Sequence, residues 1–166
     1  MMGPKEIIVI ILGVLAVPAI ILFFIKLKQR QDEVKALIEK KFRHKKIILR
    51  DPIAFFIAQQ SRGYSQRQGN GNLILTEDEL FLVLTVPYVL ISIPVQNIGE
   101  MQRVSRMNGQ QPLGRKMLKI HYMDNQGNED ALGIRLKQVD QWEAEIRKLQ
   151  ARSTSPTLVA ASQFHP

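Results

Sequence analysis

Cysteine is absent from the 166 residues. Neither a disulfide framework nor thiol chemistry is available, and redox compartment cannot be argued. Histidine is scarce, with only His44, His121 and His165. His121 alternates with Ile120 and Tyr122, so it faces away from them and reads as a surface or internally satisfied imidazole rather than a base. Two carboxylate groups, Glu77-Asp78-Glu79 and Asp124, Glu129, Asp130, lie at turn-like positions. The second group lacks the oxygen-ligand spacing of a calcium loop. Gly69-Asn70-Gly71 lacks the further glycine, or the Lys-Ser/Thr, of a phosphate cradle. No catalytic residue, cofactor site or metal site is expected, and the chain reads as a non-enzyme.

One stretch lacks charge and polarity altogether. Ile7 to Ile25 reads IIVIILGVLAVPAIILFFI. As a helix of nineteen residues at about 1.5 Å each it spans roughly 28 Å, near the hydrocarbon thickness of a bilayer. Pro18 would free one backbone carbonyl, which membrane helices tolerate. A buried helix of a soluble fold would need a polar face elsewhere, and a cleaved signal would have a shorter core and a more basic start. The expectation is a single-pass transmembrane helix over 7–25, after a short segment, 1–6. No second apolar run of spanning length follows.

Charge is uneven. Between Lys26 and Arg50 stand ten basic and three acidic residues, which is +7 of the chain's net +8. The remainder is close to neutral. Flanking Lys and Arg stay on the cytoplasmic side. The expectation is an outside N-terminus and a cytoplasmic C-terminal domain at the cell membrane. Lys26, Lys28, Arg30, Lys40, Lys41, Arg43, Lys45 and Lys46 are the candidate membrane-surface contacts. Because the excess is local, basicity is assigned to topology and not to nucleic acid. Residues 26–52 read as a basic helical linker. Val34, Leu37, Ile38 and Phe42 lie on one helix face, suited to docking on the next domain, to homo-oligomerisation, or to the headgroup region. Asp51-Pro52 reads as a break.

From about Ile53 the periodicity turns to β. Phe55-Phe56-Ile57-Ala58 fits a strand or a short helix, with strand favoured. Further strands are expected in Asn72–Leu75, Leu80–Val86, Tyr88–Ile93, Ile98–Val104, Met117–Met123 and Ala131–Ile134. Turn residues separate them, including Met107 to Gly114 and Asp124 to Asn128. Val139, Trp142, Ile146 and Leu149 then mark one amphipathic helix. Residues 53–150 form the expected domain, and 151–166 a disordered tail.

Seven antiparallel strands closed by one helix resemble the pleckstrin-homology (PH)-like superfold, which includes GRAM domains. The stretch Gly69 to Thr76, then Glu79-Leu80-Phe81, Ile93-Pro94, Ile98, Gly127 and Trp142 carry a resemblance to a small bacterial, membrane-anchored group of that type. The resemblance implies a helix plugging an open corner of a bent sheet, with ligands near the strand-connecting loops. The first hairpin lacks the dense basic pattern of inositol-lipid readers, offering only Arg62 and Arg67. Arg103, Arg106, Arg115 and Lys116 around the later loop are candidate anion ligands or solvated charges. The expected function is a membrane-tethered adaptor contacting a protein partner through loops bearing Arg62, Arg67, Arg106, Arg115 and Lys116. The alternative is an anionic-lipid binder using the basic linker.

Overall fold

The computed structural model describes the backbone of residues 4–111 and 116–154, and the side chains of 17–111 and 116–153. It divides into two units, residues 1–44 and 45–166. The first contains one helix, α1 (Pro4–Phe42), which runs through Pro18 without ending. Its described apolar residues Val17 and Ile20–Ile25 are exposed, whereas Val34, Ile38 and Phe42 are buried.

The expected membrane span must be corrected. Among the described residues, no helix is long and apolar enough to cross a membrane. Residues 7–16 lie outside those whose side chains are described. The single-pass class, the membrane location and the N-out orientation rested on that span and are withdrawn with it.

The second unit is β1 (Ile47–Gln59), β2 (Gly69–Thr76), β3 (Glu79–Leu84), β4 (Val89–Pro94), β5 (Ile98–Val104), β6 (Met117–Met123), β7 (Glu129–Arg135) and α2 (Val139–Thr154). Short 3-10 turns follow β1 and β4. All seven strands form one antiparallel sheet in the order β4-β3-β2-β1-β7-β6-β5. The expected mainly-β arrangement with a closing helix is what the chain forms, and it fits a PH-like fold. The ambiguous Phe55–Ala58 is strand, inside β1. Asp51-Pro52 is not a break between domains but part of β1, where the register against β2 shifts between Asp51 and Ala54. Pro52 has no N–H to give a ladder, and Asp51 Oδ1 accepts the Ile53 N–H at 3.0 Å, so the irregularity is satisfied locally. α2 continues to Thr154, past the expected start of the tail; residues 155–166 lie outside the described residues.

Alternation sets the core. Ala54 and Phe56 of β1, Leu73 and Leu75 of β2, Leu80 and Leu82 of β3, and Leu118 and Ile120 of β6 share one buried cluster with Trp142, Ile146 and Leu149 of α2. The helix therefore covers the inner face of the sheet with the stripe its periodicity marks. Arg103 of β5 is hydrogen-bonded to Glu143 at 2.8 Å and to Asp140, and Gln150 Nε2 donates to the Ile98 carbonyl at 2.5 Å. These bonds fix α2 against the edge strand.

A second, smaller cluster lies on the opposite face: Ile57, Ala58, Met107, Met117 and Ala131. Met107 belongs to the β5–β6 loop. It fits because Gly133 has no side chain there; a Cβ would lie 2.8 Å from the Met107 sulfur. The loop is thereby folded back across the sheet.

Trp142→Ala should lower unfolding stability by about 3–5 kcal/mol, the cost of a large core cavity. Urea denaturation of the full chain measures it, and an unchanged midpoint would show that the helix does not fill the sheet.

Candidate functional site

The end of β1 is organised by a buried carboxylate that reads in the sequence as a turn acid. Asp130, the second residue of β7, is buried. Its Oδ2 accepts from Gln59 Nε2 at 2.7 Å, Ser61 Oγ at 2.7 Å and the Tyr122 hydroxyl at 2.8 Å. Its Oδ1 accepts the Ser61 N–H at 2.9 Å. Burial alone would raise its pKa, but the donated bonds from Gln59, Ser61 and Tyr122 outweigh it and hold the carboxylate below its ordinary range. Burial, then the hydrogen bond to Asp130, push the Tyr122 phenol well above its usual value. The carboxylate thus stays charged, the phenol neutral, and the 3-10 turn Gln60–Arg62 is tied to the sheet.

From this anchor the β1–β2 loop meets the β5–β6 loop. Asn108 and Gly109 both have positive φ, 47° and 70°, and Met107 and Gln110 exchange backbone bonds of 2.9 and 2.8 Å around them. Asn-Gly is the pair that adopts such a turn at least cost. The turn aims Asn108 Nδ2 at the carbonyls of Gln59 and Gly63, both at 3.1 Å. Gln110 Nε2 donates to the Gln66 carbonyl at 3.0 Å and accepts, through Oε1, from Gln68. Gln66 itself bridges Gln59 and Gly63. Two loops, 44 residues apart in sequence at the Gln110–Gln66 bond, become one surface.

Arg62, Arg67, Arg106 and Lys116 are all exposed on these loops, and no carboxylate occurs in 60–68, 105–111 or at 116. Tyr64 is 78% exposed. Beside them the β3–β4 turn brings Tyr88, 58% exposed, and Pro87 to a recess of about 240 Å³ shared with Arg62 and Arg67. Arg115 lies outside the described residues. Arg103 does not join the group, because α2 holds it. Arg106 contacts Gln111 at 3.3 Å.

The linker cations separate. Lys45 is the first residue of the second unit, with its ammonium 3.0 Å from Glu79 and 3.5 Å from Asp78. The Glu79 hydrogen bond raises its pKa despite partial burial. Glu79 is also held by Ser92 Oγ at 2.6 Å. Lys45 is therefore part of the domain's own framework, not a free surface contact. Lys26, Lys28, Arg30, Lys40, Arg43 and Lys46 are exposed, and Lys41 lies over the Phe42 ring at 5.6 Å. His121 departs from its expected role: its Nε2 is buried without a partner among the described residues. No group of three or more His, Asp or Glu among the described residues could hold a metal ion.

No protein-family model matches this chain, and no curated protein matches it. Solved structures do. The crystal structure of the C-terminal domain of an unknown protein from Leishmania infantum matches at TM-score 0.47 and 13% identity, over 71% of this chain and 98% of that one. The Vps36 N-terminal PH domain matches at TM-score 0.46 and 15% identity, over 68% and 85%. At these scores no residue and no role carries over to this chain.

Two outcomes test the loop anchor. Asn108→Asp replaces a donor with a carboxylate facing carbonyl oxygens, so the loops should part. Hydrogen exchange at residues 60–66 should rise while the β6–β7 amides keep their protection. Asp130 contributes stability that is complete above its unfolded value of 3.8 and is lost as pH falls through its lowered native value. Asp130→Asn should cost about 1–3 kcal/mol at neutral pH and flatten that acid limb in urea titrations from about pH 6 to about pH 2.

Proposed function

We propose that this chain is a non-enzymatic, adaptor-type binding module and that the joined loop face receives an acidic stretch of a protein partner. One observation carries the reading: Asn108 and Gln110 lock two separate loops into a single surface with cations and no acids. Arg and Tyr are side chains that often dominate protein contacts, and here they stand exposed on loops whose backbones the amides hold. Four exposed cations steer an acidic partner toward the face, an effect that weakens with salt. The near-neutral charge of the remaining domain leaves the face as its distinctive electrostatic feature.

The test compares an acidic peptide rich in Asp and Glu with anionic vesicles, using the full chain. The peptide should bind the wild type, more weakly as salt rises, and Arg62→Glu/Arg67→Glu should lower its affinity by about tenfold or more. Vesicle binding, if present through the linker cations, should be the same in both. A double variant that loses vesicles but keeps the peptide would replace the protein-contact reading with the lipid one.

A further inference from the structure

We propose that the fork where β7 parts from β1 is a second binding site, for a small molecule carrying a phosphate beside an ammonium group. It shares no residue with the loop face and does not depend on that reading. β1 pairs with β2 from Ile47 to Phe56 but with β7 only from Phe55, which stands opposite Arg135. Beyond Arg135 the chain leaves toward α2. The opening is a recess of about 380 Å³ lined by Asp51, Ile53, Phe55, Asn70, Arg135 and Lys137, along with Leu136. That size falls within the range of small-molecule sites.

The chemistry of the walls is specific. The Arg135 guanidinium lies over the Phe55 ring, its carbon 4.6 Å from the centroid. Stacking fixes the plane of the fork while leaving the N–H donors unspent. Among the described residues neither Arg135 nor Lys137 has an acceptor. Two cations with open donors, one of them oriented, suit a phosphate, which guanidinium binds through two oxygens at once. Asp51 stands in the same recess with one oxygen committed to the Ile53 N–H. A bare phosphate would be repelled by it. A ligand that also carries an ammonium group meets both charges, and the Asn70 amide adds a neutral partner. Ile53, 51% exposed, gives the recess an apolar wall.

Isothermal titration of the full chain at constant ionic strength tests the site, with phosphoethanolamine, inorganic phosphate and ethanolamine as probes. Phosphoethanolamine should bind saturably and more tightly than phosphate, and ethanolamine least. Arg135→Met retains an apolar stem over Phe55 and should weaken binding by about tenfold or more, with an unchanged melting temperature. Asp51→Asn should erase the preference for phosphoethanolamine over phosphate. Sedimentation with phosphatidylethanolamine vesicles against phosphatidylcholine vesicles separates the sources. A difference that Arg135→Met removes assigns the site to a lipid headgroup; no difference, with solution binding intact, assigns it to a free molecule. The site is refuted if Arg135→Met binds as tightly as the wild type, or if no probe binds saturably in solution or on vesicles.

Discussion

One strand has to serve two halves of the sheet. β1 is the partner of β2 from its first residue and of β7 from Phe55 onward, so among the described strands it is the one that joins β2–β4 to β5–β7 in the sheet. A strand in that position must curve, and curvature in a ladder needs irregularities. β1 has them on both sides: the register shifts near Pro52 against β2 and near Ile57 against β7. The inner face can then wrap a common cluster, and α2 can lay Trp142, Ile146 and Leu149 into it. The fork, the loop anchor and the helix seat all follow from where β1 gains and loses partners.

Much of this was legible in the residues. Period-two alternation in Met117–Met123 marks a strand that buries mainly one face, and the unbroken run of β-forming residues in Leu80–Leu84 marks one buried on both. The spacing of Val139, Trp142, Ile146 and Leu149 marks α2 for the analogous reason. Asp51-Pro52 misleads, since a proline reads as a boundary in sequence but is tolerated where a strand is already irregular. The apolar run before Lys26 misleads in another way. Its composition alone suggests a span, which no helix among the described residues supplies.

The candidate site was only half legible. The loops bearing Arg62, Arg67 and Arg106 stand out by composition, but nothing in their spacing says that they touch. Their union depends on amides: Gln59, Gln66, Asn108 and Gln110. Amide side chains carry no charge and no periodicity, so their pairing is set by tertiary register and invisible in one dimension. Asp130 is hidden similarly. In a turn-rich stretch it looks like a solvated acid, and only the return of β1 beside β7 gives it Gln59, Ser61 and Tyr122 as donors. Asn108-Gly109 was the one available clue, since that pair favours the tight turn that aims the amide.

The amide clamp has a kinetic consequence. Because Asn108 and Gln110 hold the loops in place before anything arrives, most of the entropy of ordering them is already spent in folding. Association with the proposed partner would then need little rearrangement and be governed by diffusion and long-range charge, while the lifetime of the complex would depend on short-range fit. Ionic strength should therefore act mainly on the rate of arrival.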